Sequence, residues 1–318
     1  MRKENVVNVK ESRSRLYAGP KRLPNADDFR LFLGVNNVDD NLFWNFINQT
    51  LLLIGGKAGM GKTQAVHEWL CQLAVYPWVQ IVILDGKEGH TYRAWKDRAW
   101  LMSTRDLKEA VRTLKAVSRY IQARADAYYE EFGLYNIWDA RPDGTGGPTV
   151  KYPLMVVIWE EAQVFLSQVV SKEFNDRARD LLVAQIFDVA LNIVNAGRDF
   201  GILNWMITQY AKADAIPSLL TNQMGCGACM GVITTHAAAS ILTQQILVPE
   251  AREFSPVGKI GDHDKGVATV LVPRENGVPF DRVRVPYASG AHIRKIVKES
   301  ASYRRDPFTL LVGNNLPE

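Results

Sequence analysis

Apolar residues along this chain gather in short unbroken runs. The runs are Leu31-Phe32-Leu33-Gly34-Val35, Leu51-Leu52-Leu53-Ile54, Gln80-Ile81-Val82-Ile83-Leu84, Leu154-Met155-Val156-Val157-Ile158-Trp159, Ile202 to Ile207 and Val267 to Val272. They do not alternate with polar residues, and three lead into polar tips, at Asp85-Gly86, Glu160-Glu161 and Thr208-Gln209. Such runs are what strands covered on both faces look like. Between them the period changes. Leu107, Val111, Leu114, Val117, Ile121 and Ala125 recur at three and four residues and predict a helix over 104–130. Phe174, Ala178, Leu181, Ile186 and Val189 predict a second over 172–196. Strands alternating with helices predict an α/β fold on a parallel sheet. Residues 141–148, rich in Gly and Pro, read as a loop. Residues 1–28 show no apolar period and carry Lys or Arg at 2, 3, 10, 13, 15, 21 and 22. They read as a flexible basic arm, either a solvated tail or a contact for nucleic acid or a neighbouring subunit.

Composition narrows the class. The chain has 318 residues, 47% hydrophobic and 23% charged, which is globular and excludes collagen-like, coiled-coil or wholly disordered chains. No unbroken apolar run approaches the roughly 18–20 residues that cross a bilayer. Met1-Arg2-Lys3-Glu4-Asn5 opens no secretory signal, and three cysteines are too few for a disulfide scaffold. A cytoplasmic location is the expectation. A net charge of +4 permits a polyanionic partner without demanding one.

The stretch Gly56-Lys57-Ala58-Gly59-Met60-Gly61-Lys62-Thr63 fits the phosphate-binding loop G-x-x-x-x-G-K-[ST] in full. Its glycines let the backbone curl and aim several N–H groups at one phosphate. Lys62 would bring charge to the β/γ oxygens of ATP, and Thr63 a hydroxyl to Mg²⁺. An apolar strand precedes the loop and a helix from about Lys62 to Val75 follows, adding its positive end.

An ATPase built on such a loop needs an acid at the tip of a nearby strand to hold Mg²⁺ through water, and often a second to polarise the attacking water. Glu160 and Glu161 supply both, with Glu160 for the metal and Glu161 as the base. The interval from the loop leaves room for the 80–84 strand and a long helix. That spacing suits ATPases with an additional strand between the phosphate loop and the acid strand. Glutamate at the metal position is one methylene longer than the usual aspartate, so the metal sits differently or hydrolysis weakens. Gln209, at the tip of the next strand, is placed to bond the γ-phosphate or the lytic water. The bland reading is two glutamates opening a surface helix.

In this order the motifs resemble the FtsK/SpoIIIE–HerA group of DNA-pumping ATPases, its short plasmid-transfer members in particular. Phe32 to Val35 resembles the strand preceding the family's phosphate loop, and Asp85-Gly86-Lys87-Glu88-Gly89 its Asp-Gly-Lys-Gly-Gly signature. Arg124 to Gly133 with Asn136-Ile137 resembles the family's stretch before the acid strand. Arg198-Asp199-Phe200-Gly201-Ile202 followed by Thr208-Gln209 resembles its Arg-x-x-Gly-Ile…Ala-Thr-Gln, and Gly266-Val267-Ala268 its closing strand. Glu160 for Asp and Tyr210-Ala211 for Arg-Pro depart from the pattern. The resemblance implies a RecA-like P-loop NTPase with a mainly parallel central sheet flanked by helices, occupying residues 29–300. It leaves 1–28 as the arm and 301–318 as a C-terminal tail. It further implies a homo-oligomeric ring, usually a hexamer, with ATP between subunits and double-stranded DNA in the pore. No membrane segment or sequence-reading module is expected within the chain, and a membrane partner stays open.

A ring of this kind completes its site with an arginine from the next subunit, and Arg198 matches that position. The alternative is an arginine facing its own helix terminus. Duplex DNA would be held by phosphate contacts, for which Lys172, Arg177, Arg179 and Lys212 are the candidates. Arg105, Lys108, Arg112, Lys115 and Arg119 line one side of the 104–130 helix, and a solvated face is favoured over a ridge for DNA. Cys226 and Cys229 lack the further ligands a zinc site needs, and the family has a buried strand there. The tryptophans read as core and interface residues. The task that follows is plasmid or mobile-element transfer. The alternatives are viral genome packaging, an FtsK-like protein-secretion motor, and a weakly hydrolysing ATP-binding ring.

Overall fold

The computed structural model describes residues 29–167, 177–209, 216–232, 234–272 and 277–312. In chain order, a hairpin of β1 (Arg30–Asn36) and β2 (Asn41–Asn45) precedes β3 (Leu51–Gly56), α1 (Lys62–Ala74), β4 (Val79–Asp85) and β5 (Leu101–Ser103). Next come α2 (Leu107–Phe132), β6 (Leu154–Glu160), α3 (Gln163–Leu166), α4 (Arg177–Gly197) and β7 (Ile202–Thr208). The chain continues through α5 (Ser218–Thr221), β8 (Met224–Met230), α6 (Thr235–Leu242), β9 (Val267–Leu271), β10 (Phe280–Arg284), α7 (Gly290–Ser300) and α8 (Pro307–Val312).

All ten strands join one sheet, in the order β2-β1-β10-β9-β8-β3-β7-β6-β4-β5. From β8 to β5 the neighbours are parallel; β9, β10, β1 and β2 extend the sheet antiparallel. The unbroken apolar runs have a direct cause. Leu52 and Ile54 of β3 face one core with α1 and α7, while Leu51 and Leu53 face another with α2, α4 and α6. In β6, Leu154, Val156 and Ile158 serve the first core and Met155, Val157 and Trp159 the second. With helices on both faces, neither side of the strand needs to be polar.

The strand lying between β3 and β6 is β7, and β4 sits on the far side of β6. The 80–84 run therefore does not fill the gap between phosphate loop and acid strand. It supplies the tip next to the acids. Helix α2 starts at Asp106, whose carboxylate accepts from the Lys108 and Glu109 N–H groups, and ends at Gly133 in the left-handed conformation. In α4 the buried stripe is Val183, Ile186, Ala190, Ile193 and Val194. Leu181, expected on it, is 64% exposed, because it shares a face with the exposed Gln185 and Asp188. By length and mean hydropathy, 1.3 over its most apolar window, α4 is long and apolar enough to cross a membrane. Here it packs along α2, and its exposed positions include Gln185, Asp188, Asn192 and Asn195.

Two buried arginines do structural work. Arg98 donates to the Ala74, Tyr76 and Val79 carbonyls, and Arg124, within the family-like stretch, to those of Tyr152 and Pro153. Part of the expected C-terminal tail is helical: Phe308 of α8 packs edge-on against Trp100 and Tyr120. Residues 1–28 lie outside the described residues.

Candidate functional site

The C-terminal ends of β3, β6, β7 and β4 converge at one edge of the parallel sheet, where α/β folds bind ligands. The phosphate loop leaves β3 at Gly56, where a Cβ would come within 2.4 Å of the Met230 carbonyl oxygen. The loop is held from both sides: Lys57 N–H donates to the Gly231 carbonyl at 2.8 Å, and Gly266 N–H to that of Met60 at 2.9 Å. Gly61, with φ 101°, turns the chain into α1, so that Lys62 and Thr63 open the helix. The Lys62 ammonium folds back across its own loop and donates to the Gly56 and Lys57 carbonyls, 2.7 Å each. Burial lowers its pKa from the ordinary lysine value, and the negative charge of Glu161 opposes that fall.

Glu160 ends β6 and is fully buried. Its Oε1 accepts from Thr63 Oγ1 at 3.0 Å and from Lys87 Nζ; its Oε2 accepts from the Tyr92 hydroxyl at 3.0 Å. The next residue, Glu161, has φ 53°, the left-handed region that non-glycine residues rarely enter. Several bonds fix it there. Gln163 Nε2 donates to its Oε2 at 2.6 Å, Gln209 Nε2 donates to its Oε1, and Lys87 Nζ lies 3.2 Å from Oε1. Thr208 Oγ1 in turn donates to Gln163 Oε1 at 2.8 Å, and Ala162 N–H to the Ile207 carbonyl, tying the tips of β6 and β7 together. Burial works to raise the Glu161 pKa, but the bond from Gln163, the Lys87 charge and the bond from Gln209 outweigh it. The carboxyl is held below its ordinary value and stays ionised at neutral pH.

The β4 tip carries the third side of the site. Asp85 Oδ1 accepts from the Lys87 N–H at 2.9 Å and Oδ2 from the Tyr92 N–H at 3.3 Å. Gly86 N–H donates to the Glu160 carbonyl at 3.0 Å, and a Cβ on Gly86 would stand 2.5 Å from that oxygen. Only glycine permits so close a clasp. Burial works to lower the Lys87 pKa; Glu160 first, then Glu161, more than reverses it.

Glu160, Glu161, Gln209, Lys62 and Thr63 are thus brought together as the sequence led one to expect. Arg198 is not among them. It follows α4, ahead of β7, at the opposite end of that strand from Gln209, exposed and 3.4 Å from Asp199. Arg179 donates to the Val164 carbonyl at 3.4 Å, Arg177 is exposed at the start of α4, and Lys172 and Lys212 lie outside the described residues. Of the five cations expected on one helix side, Arg105 precedes α2 and lies 3.8 Å from Glu88, while Lys108, Arg112, Lys115 and Arg119 are on α2; all five are exposed. Cys226 and Cys229 are buried in β8 and face different cores, and burial raises both thiol pKa values. Four site members went unassigned in the sequence: Asp85, Lys87, Tyr92 and Gln163. Asp85 and Lys87 stood in a recognisable signature, whereas Tyr92 and Gln163 carried no signal.

Among the described residues no three His, Cys, Asp or Glu side chains are grouped to hold a metal alone. The Thr63 hydroxyl and Glu160 carboxylate, 3.0 Å apart beside the phosphate loop, form a hard-oxygen pair. An ammonium already lies on the same carboxylate oxygen, so the position suits a cation. A magnesium ion would fit there with phosphate oxygens completing its shell.

A model of the FtsK/SpoIIIE family matches residues 19–223. No curated protein matches the chain in sequence. Among solved structures, the chain is similar to the pCW3 conjugation coupling protein TcpA, in its monomer form with ATPγS. The identity is 18% and the TM-score 0.64, covering 88% of this chain and 74% of that one. The cytoplasmic domain of the type VII secretion ATPase EccC of Thermomonospora curvata gives 16% and 0.64, covering 94% of this chain and 33% of that one. ATPases 2 and 3 of EssC from Geobacillus thermodenitrificans give 14% and 0.61, covering 90% and 50%. The chain therefore spans half or less of the EccC and EssC chains. At such identities the likeness is one of fold, a mainly parallel P-loop NTPase sheet.

Proposed function

This chain belongs to the FtsK/SpoIIIE family and is an ATPase, and from that premise we propose that residues 29–300 form the motor of a ring that moves double-stranded DNA in plasmid or mobile-element transfer. The observation that carries the reading is the convergence of Lys62, Thr63, Glu160, Glu161 and Gln209 at one sheet edge. ATP docks its phosphates on the loop from Gly56 to Thr63, and Lys62 exchanges its two loop carbonyls for the β/γ oxygens. Thr63 and Glu160 would hold Mg²⁺, which when bound would neutralise charge on those phosphates. Glu161, ionised and aimed by Gln163 and Gln209, takes the proton of the attacking water. Gln209 links this event to β7, since a shift of the Glu161 carboxylate breaks their bond.

Arg198, remote from its own chain's loop, acts on a neighbouring subunit's nucleotide. Lys172, Arg177, Arg179 and Lys212 hold DNA phosphates in the pore, and the ring multiplies their small number. A cytoplasmic motor fits this task. What supports DNA as the substrate is the order of family motifs and the fold shared with a conjugation coupling protein. A protein-secretion motor is the second reading, favoured by an equal likeness to EccC. Displacement of a third strand from a duplex separates them. The chain with ATP and Mg²⁺ should strip a triplex-forming oligonucleotide from long duplex DNA, and Glu161→Gln should bind ATP yet strip nothing. ATP turnover without strand displacement would favour the secretion reading.

A further inference from the structure

Lys87 stands between two buried carboxylates with no step of the reaction yet assigned to it. Its ammonium donates to Glu160 Oε1 and lies 3.2 Å from Glu161 Oε1. Lys62, the other nearby cation, spends its bonds on the carbonyls of its own loop. Two adjacent buried anions without a bonded cation would be costly. Lys87 is the residue that balances them. Its placement is built into the backbone. The Asp85 carboxylate accepts the Lys87 N–H, Gly86 N–H is bonded to the Glu160 carbonyl, and Glu88 follows with φ 64°. The side chain is anchored at its root, yet 35% exposed, which gives the ammonium a way out.

The oxygen that binds Lys87 is the same Oε1 that accepts from Thr63. That oxygen is the one a divalent ion would approach. An ammonium and a divalent cation cannot both sit there without strong like-charge repulsion. We propose that Lys87 is a resident counter-cation of the acid pair, a positioning residue that holds Glu160 and Glu161 in place and keeps divalent metal out until nucleotide arrives. When ATP arrives with its own negative charge and a divalent ion, Lys87 would leave Glu160 for solvent. Metal and nucleotide then bind as one unit, and an empty subunit is not filled by free Mg²⁺. This inference rests on the reading of Thr63 and Glu160 as the metal position.

Titration of the full chain with Mn²⁺, read by electron paramagnetic resonance, tests it without recourse to activity. In the absence of nucleotide, Lys87→Met and Lys87→Gln should each bind one Mn²⁺ at least about tenfold more tightly than wild type, since a tenfold change is a modest cost for removing one close like charge. Lys87→Arg, which keeps the charge, should resemble wild type. Adding Glu160→Gln to Lys87→Met should abolish the gain. With ATPγS present, wild type should bind one Mn²⁺ per chain, and the difference between wild type and the neutral variants should shrink. If wild type binds Mn²⁺ with ATPγS but neither neutral variant gains affinity without it, Lys87 is no counter-cation and this inference fails alone. If wild type with ATPγS binds no Mn²⁺, the metal position itself is wrong. Circular dichroism melts of both neutral variants identify the one that is folded and fit to be titrated.

Discussion

Glu160 uses both of its carboxylate oxygens. One takes Thr63 and Lys87, the other the buried Tyr92 hydroxyl. A shorter aspartate cannot span these partners from the same backbone position. The methylene that looked like a weakness in the sequence is therefore matched by Tyr92. Glu160→Asp should lower ATP turnover about tenfold and raise the Mg²⁺ concentration needed for half-maximal rate, because a buried hydroxyl or carboxylate left unpaired costs roughly 1–3 kcal/mol. Tyr92→Phe should do the same. The double variant should be little worse than either single one, since both break one bond. A Glu160→Asp enzyme as active as wild type would show that Tyr92 does not matter. Loop and acids were readable because each is a local string whose chemistry is complete in sequence. Tyr92 and Lys87 gain meaning only because β4 lies beside β6, a non-local pairing that no local pattern reports.

At the scale of elements, the clasp between the β4 and β6 tips sets the site. Gly86→Ala would force its Cβ within 2.5 Å of the Glu160 carbonyl oxygen and 3.1 Å of the Glu161 Cβ. The acids should shift while the phosphate loop stays intact. Turnover should fall about 100-fold, the cost of a misplacement near 1 Å, with nucleotide affinity kept. Equal losses in binding and turnover would place the damage elsewhere. Helix α1 also carries two buried titratable groups on consecutive residues. Burial pushes the Glu68 carboxyl up from 4.5 to about 7, and pushes His67 down from 6.5 to about 4, the imidazole accepting from Trp95 Nε1 at 3.0 Å. Between pH 4.5 and about 7 the folded chain keeps the Glu68 proton that the unfolded chain releases, so this contribution to stability falls as pH rises. For His67 the sign is opposite: the unfolded chain protonates first as pH drops below 6.5, and stability is lost toward pH 4. Glu68→Gln removes only the first slope. Its stability relative to wild type, from urea melts, should be roughly 2–3 kcal/mol greater at pH 8 than at pH 4.5. No change with pH would mean that Glu68 is not buried as a neutral acid. The strands with unbroken apolar runs and both main helices were legible in the sequence, whereas the glycine-interrupted β8 entered only through the family resemblance. The short or charged strands β2, β5 and β10 were not, because their places depend on the sheet edges they extend. The α4 face was offset because Leu181 imitates a core position that tertiary packing leaves outside.

For the whole molecule, the central claim is that this ATPase site drives work on duplex DNA. The site is shared by motors with other cargoes, so its geometry alone does not name the cargo. Arg198, before the end of β7 opposite to Gln209, fits a motor whose subunits complete one another. The most direct measurement is steady-state ATP turnover of the wild type at low salt, with and without long duplex DNA. The account predicts a several-fold rise with DNA. The DNA concentration needed for half of that rise should climb steeply between about 50 and 200 mM salt, as neutralised phosphates release counterions. ATP turnover that is robust in the assembled protein, yet indifferent to duplex DNA at every salt concentration, would contradict it.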